Sequence, residues 1–234
     1  MAEKQKTGRA ELYSLLLLAG GKSSRMGEDK AELLLDGDSF LSCQIKKAEK
    51  LGIHKVYVSG HAAGADAFRN GAVKSSIHIQ MVPDIYRERG PLGGLHACMK
   101  AMDTPYCLVL PVDVPQFPEE TLEELLLAHE NSLGAAASEN AGSFGNGREG
   151  GNSGKPLLLV HGERTEPLMG IYPVCMADCI GEQIEKASAP VFRVIDAWGF
   201  DTFRTSAEEW KMRNINTPED YRELLAYMEK GKVK

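Results

Sequence analysis

The chain has 234 residues, of which 43% are hydrophobic and 26% charged, and a formal net charge of −6. That length suits one domain with a real core, and the composition is ordinary for a globular protein. It excludes a nucleic-acid coat, since no long basic run exists, and a membrane span, since no apolar stretch is long enough.

Residues 1–12 are polar, lack a signal-peptide core and are expected to form a flexible extension before a single domain over 13–228. The apolar run Leu15-Leu16-Leu17-Leu18 stops at Ala19-Gly20-Gly21, and the cations Lys22, Arg25 and Lys30 follow within nine positions. This order predicts a buried strand running into a glycine loop that can close on a polyanion. Glycine lets backbone approach a phosphate closely, successive N–H groups make an anion-binding concavity, and cations neutralise the charge. A Walker loop would need glycine at Leu16, and the dinucleotide fingerprint fails because Gly20 and Gly21 are adjacent, with the next glycine at Gly27.

Further along, Leu41, Ile45, Ala48 and Leu51 predict a helix over Phe40–Leu51, stopped at Gly52. Lys55 to Gly60 is a short strand with a turn, and Ile77 to Val82 another, ended by Pro83. Gly94 to Met102 reads as a helix behind the Gly90-Pro91 turn, Cys107 to Pro111 as a buried strand, and Pro118 to Glu130 as a helix with two early glutamates. Seven glycines between Gly134 and Gly154 make residues 138–154 a flexible loop. Lys155 to Val160 and Pro167 to Val174 resemble paired strands, and Cys175 to Ala187 a helix. A final helix starts at Pro218, with Thr217 as its N-cap, and residues 229–234 are expected to fray. The βα alternation predicts an α/β fold with a mostly parallel sheet covered by helices.

Two further segments carry candidate chemistry. Pro111-Val112-Asp113-Val114-Pro115 ends an apolar strand, where open α/β sheets place their ligands. Its flanking prolines fix the carboxylate's direction, and one carboxylate suits Mg²⁺, which completes its shell with phosphate and water oxygens. In Arg213-Asn214-Ile215-Asn216-Thr217, alternation puts both asparagines on one side, where they can clamp a second substrate or cap a turn. The backbone of Gly90-Pro91-Leu92-Gly93-Gly94 could carry a nucleoside or simply lead a helix. The five cysteines include no Cys-x-x-Cys pair, so free thiols in a reducing cytoplasm are expected. No zinc site is legible among the scattered histidines.

The segments LAGGKSSRMGEDK (18–30), GPLGG (90–94), PVDVP (111–115), HGERTEPLMGIY (161–172) and NINTPED (214–220) occur in one order. In that order they resemble the molybdenum cofactor guanylyltransferase (MobA) family of nucleotidyltransferases. The resemblance implies a Rossmann-like three-layer α/β/α sandwich that couples GTP to the phosphate of a pterin, releasing pyrophosphate. It implies a nucleotide held by Leu18, Ala19 and Gly20, and phosphates near Gly21 and Arg25. Lys30 would be the phosphate-binding lysine, Asp84 would lie near the nucleoside, and Asp113 would bind Mg²⁺. Asn214 and Asn216 fall on the pterin side. Arg25, Lys30 and Asp113 are the expected catalytic set.

GTP and molybdopterin or the molybdenum cofactor are the implied substrates, with molybdoenzymes or their chaperones as recipients in the cytoplasm. Where the family often has asparagine after the second strand, this chain has Ser59, which leaves guanine and cytosine both open. A cytidylyltransferase acting on this or another phosphorylated acceptor is one alternative. A nucleotide-binding module that hands over cofactor without turnover is another, against which stand Arg25, Lys30 and Asp113.

Overall fold

The computed structural model describes residues 8–20, 29–60, 77–86, 88–140, 154–186 and 190–232. Strand β1 (Tyr13–Leu18) is followed by a small hairpin, β2 (Leu34–Leu35) and β3 (Asp38–Ser39), and by helix α1 (Phe40–Leu51). Next come β4 (Lys55–Ser59), β5 (His78–Val82), helix α2 (Pro91–Ala101), β6 (Tyr106–Pro111) and helix α3 (Glu119–Asn140). The second half holds β7 (Leu157–His161), β8 (Arg164–Pro173), helices α4 (Met176–Lys186) and α5 (Val191–Trp198), β9 (Asp201–Thr205) and helix α6 (Pro218–Lys232).

Among the described residues, seven strands form one sheet in the order β5-β4-β1-β6-β8-β7-β9. β5, β4, β1 and β6 run parallel, β8 is antiparallel to both β6 and β7, and β9 pairs parallel with β7. The apolar run of β1 is explained by burial on both faces, as central parallel strands require. Leu15 and Leu17 point into a core shared with α1, α3 and Leu224 of α6, while Leu16 and Leu18 point into a second core shared with α2, α4 and α5. All four leucines are at most 9% exposed, and burying each such side chain contributes about 2 kcal/mol. The helices thus sandwich the sheet. Among the described residues, no helix is long and apolar enough to cross a membrane. All five cysteines are free thiols, with Cys98 and Cys107 buried.

Three expected boundaries are corrected. Residues 8–12 are helical rather than part of a flexible extension. Arg9, 1% exposed, anchors them by donating to Glu130 Oε1 (2.6 Å), Glu123 Oε2 (2.8 Å) and the Leu51 carbonyl (3.3 Å). Helix α3 continues through residues 138–140 of the expected loop, whose remaining residues 141–153 lie outside those described. Helix α6 reaches Lys232, so residues 229–232 are helical rather than frayed.

Candidate active site

The chain leaves β1 for β4 and β5 on one side and returns to β6 on the other. The strand order therefore reverses between β1 and β6, and α/β sheets bind ligands in a crevice outside the carboxyl ends of the strands at such a point. Leu18, Ala19 and Gly20 stand at one lip, and Pro111, Val112 and Asp113 at the other. The Val112 N–H donates to the Leu18 carbonyl (3.1 Å), tying the lips together.

Lys30 enters this crevice from a short 3-10 turn, Lys30–Glu32, whose N-cap Asp29 accepts from the Ala31 N–H (3.0 Å). Its ammonium donates to Asp113 Oδ2 at 2.9 Å and to Asn216 Oδ1 at 2.5 Å. Lys30 and Asp113 are only 19% and 14% exposed, so their pairing is less screened than a surface ion pair. The fold thus brings Lys30, Asp113 and Asn216 to one point. Gly21 and Arg25 lie outside the described residues.

The asparagine pattern is realised as alternation predicts. Ile215 is 2% exposed and buried in the core beside α1, while Asn214 and Asn216 are exposed. Capping and presentation turn out to be compatible. The backbone N–H groups of Asn216 and Thr217 donate to Asp220 Oδ2 (3.0 and 2.8 Å), and the Asp220 N–H donates back to Thr217 Oγ1 (3.1 Å). This is a reciprocal capping box at the start of α6. It leaves the Asn216 side chain free to reach Lys30. Burial acts to raise the Asp220 carboxyl, but these hydrogen bonds and Arg213 at 2.7 Å hold it below the usual range.

Ser59 and Asp84, the residues expected on the nucleoside side, both lie against α2. Ser59 is 2% exposed and packs beneath the lip. A Cβ on Gly94 would come within 2.8 Å of Ser59 Cβ, and one on Gly60 within 2.9 Å of Gly20 Cα. GPLGG leads helix α2, and its glycines pack closely there: Gly93 and Gly94 are buried, and within the motif Gly90 and Pro91 are exposed. Asp84 is partly buried beside the first turn of α2, with Oδ2 3.7 Å from where a Cβ on Gly93 would stand. A carboxylate there is favoured by the helix dipole.

Next to Asn216 opens a groove of about 990 Å³, lined by Arg164, Glu166, Trp210, Arg213, Asn214 and Asn216 among others. The β7–β8 hairpin forms one wall and residues 209–216 the other. Burial raises the Glu166 carboxyl, an effect opposed by Arg164, whose guanidinium is 3.0 Å away. Trp210 packs against Tyr227, ring centroids 3.8 Å apart and planes tilted by 36°. Sequence motifs marked Arg164 and Glu166 only as part of a longer stretch. Trp210 belongs to no motif and was missed.

The donor set can be tested against a cation. No three His, Cys, Asp or Glu side chains among the described residues form a metal-binding group. At the crevice Asp113 offers a carboxylate, a hard oxygen donor. A single carboxylate fits Mg²⁺, which keeps waters and takes substrate phosphates instead of a protein cage. It does not fit zinc, which wants three or four protein ligands.

A family model described as the MobA-like NTP transferase domain matches residues 15–194. A "Probable molybdenum cofactor guanylyltransferase" from Geobacillus sp. (strain WCH70) is 25% identical over 217 residues, 90% of this chain and 96% of that protein. The "Molybdenum cofactor guanylyltransferase" of Pseudomonas fluorescens (strain Pf0-1) is 30% identical over 211 residues, 88% of this chain and 90% of that protein. Among solved structures, "Molybdopterin-guanine dinucleotide biosynthesis protein A" from Archaeoglobus fulgidus superposes with a TM-score of 0.64 at 19% identity, covering 93% of this chain and 99% of that one.

Proposed function

The chain belongs to the MobA-like NTP transferase family, and from that premise we propose that it transfers GMP from GTP to the phosphate of the molybdenum cofactor. The products are the guanine dinucleotide form of the cofactor and pyrophosphate. The observation that carries this reading is the convergence of Lys30, Asp113 and Asn216 at the reversal point of the sheet, beside a groove large enough for a second substrate.

In this reaction an oxygen of the acceptor phosphate attacks the α-phosphorus of the nucleotide, and the bond to the pyrophosphate oxygen breaks. Two anions must meet, and unit charges about 4 Å apart repel by about 4 kcal/mol at an effective dielectric of about 20. Lys30 offsets that repulsion with a positive charge held between the β6 lip and Asn216. The backbone from Leu18 to Gly20 offers an approach for the phosphate chain. Asn214 and Asn216 would orient the acceptor from the groove side, and Arg25 would add charge to the phosphate loop. Asp113 would hold Mg²⁺, which when bound polarises the phosphoryl oxygens and stabilises the leaving group. No general base is required, because the attacking phosphate oxygen is already anionic at neutral pH. The cytoplasm is the proposed site of action, with molybdoenzymes or their chaperones as recipients.

The test is to present GTP, CTP and ATP separately with Mg²⁺, with and without a molybdopterin acceptor, while measuring pyrophosphate and the dinucleotide product. Acceptor-dependent pyrophosphate release from GTP above CTP is expected. Preference for CTP would make the enzyme a cytidylyltransferase, and nucleotide binding without pyrophosphate would reduce it to a carrier.

A further inference from the structure

The loop that carries Asp113 has a shortage of hydrogen-bond donors. Pro111 and Pro115 supply no N–H groups, and the ladder between β6 and β8 ends at Val109. The Val114 carbonyl takes one backbone partner, the Phe117 N–H at 3.2 Å, and the loop carbonyls need further partners, since an orphaned buried carbonyl is costly. Two polar side chains of α1 provide them. Gln44 is 0% exposed, and its amide Nε2 donates to the Pro111 carbonyl (3.2 Å) and the Val114 carbonyl (2.9 Å). One turn on, the Lys47 ammonium donates to the Pro115 carbonyl (2.7 Å) and to Gln44 Oε1 (3.1 Å). Burial pushes Lys47 down to about 8, so holding an ammonium here costs stability. An apolar helix face would have avoided that cost.

The three carbonyls, those of Pro111, Val114 and Pro115, lie within two residues of Asp113, on both sides of it. The Asp113 carbonyl itself is held from a third direction by the Ile215 N–H at 2.8 Å. We propose that Gln44 and Lys47 are positioning residues for Asp113: a side-chain clamp from α1 that fixes the backbone of the Asp113 loop and so aims the carboxylate at the cation and Lys30. Neither residue touches substrate, and both act through the loop. The inference rests on the reading of Asp113 as the Mg²⁺ ligand. Losing a partner that orients a metal ligand lowers metal affinity or activity by about 10- to 100-fold.

The test uses the full chain and Mn²⁺ as the probe ion. Mn²⁺ affinity is read by electron paramagnetic resonance in the presence of GTP, alongside kcat and the KM for GTP. Gln44→Leu should weaken Mn²⁺ binding and lower kcat, both by about tenfold, while the thermal melt stays cooperative. Lys47→Arg, which keeps the donors, should stay near wild type, and Lys47→Met should fall. In an Asp113→Asn background, Gln44→Leu should cost nothing further in Mn²⁺ affinity. Should Gln44→Leu not fold, Gln44→Asn and Lys47→Met carry the same comparison. Unchanged Mn²⁺ affinity and turnover in a folded Gln44→Leu, or an equal loss in the Asp113→Asn background, would overturn the clamp. Equal Mn²⁺ affinity in wild type and Asp113→Asn would sink the metal assignment and the clamp with it. A wild type that releases no pyrophosphate yet shows Asp113-dependent Mn²⁺ binding weakened by Gln44→Leu would support the clamp and sink only the proposed reaction.

Discussion

Lys30 and Asn216 are 186 positions apart in the chain, yet the Lys30 ammonium meets the Asn216 side-chain oxygen at 2.5 Å. That contact joins the crevice at the ends of β1 and β6 to the groove. Asn216→Ala should therefore act on the acceptor more than on the nucleotide. A hydrogen bond to a charged group is worth about 1.5–3 kcal/mol, so the KM for the acceptor should rise at least about tenfold while that for GTP moves little. Steady-state kinetics with each substrate varied in turn will check this; a collapse of GTP affinity would put Asn216 on the other side.

Asp113 and Lys30 should behave as a unit. Asp113→Ala is expected to abolish Mg²⁺-dependent turnover and Lys30→Ala to reduce it by at least about a hundredfold, each with the fold intact. Because the two side chains are in contact, the double variant should lose much less than the product of the single losses. Single-turnover rates with far-ultraviolet circular dichroism measure both. Full activity in Asp113→Ala would remove the metal assignment.

The far end of the sheet should contribute to loss of stability in acid. His129 Nδ1 pairs with the Tyr13 hydroxyl at 2.9 Å, His129 is 3% exposed, and burial pushes the imidazole down to about 4. The unfolded chain takes up that proton near pH 6.5. The folded state thus binds fewer protons between these values, and stability falls as pH drops from about 6.5 toward 4, by about 3 kcal/mol in full. Urea denaturation at pH 7 and pH 4.5 should show a smaller loss in His129→Gln than in wild type. Equal losses would remove His129 from the explanation.

Two glycines should respond oppositely to alanine. At Gly94 a methyl would meet Ser59 Cβ at 2.8 Å and Leu18 Cδ2 at 3.2 Å, so Gly94→Ala should cost about 1–3 kcal/mol and shift the lip of the crevice. Gly134 sits exposed in α3 with nothing within 4 Å of an added Cβ, and Gly134→Ala should stabilise by up to about 1 kcal/mol. Thermal melts of the two variants decide it. A melt unchanged at Gly94 would mean that α2 can move away from β4.

Much of this was legible in the sequence because local signals and tertiary demands coincide. The leucines of β1 announce burial on both faces, and Gly52 and Thr217 mark helix ends where the backbone stops or starts. Strand β9 was not legible. Asp201-Thr202-Phe203-Arg204-Thr205 is a mostly exposed edge strand with no apolar alternation, and only its pairing with β7 defines it. Helix α5 behind it went unread for lack of a side-chain cap at Pro190. The motif resemblance grouped Lys30 with Asp113 and set Asn216 apart on the pterin side; the contact of Lys30 with both depends on strand order, which no local pattern contains. Gln44 could not be singled out at all, since a polar residue on a helix carries no mark of the carbonyls it will meet.

The Ile215 N–H bonded to the Asp113 carbonyl has a consequence for inheritance of damage along the chain. It joins the turn ahead of α6 to the loop at the tip of β6, so a shift of the last helix is felt at Asp113. On the proposed function, lesions that loosen α6 would surface as slowed nucleotidyl transfer before they showed as unfolding.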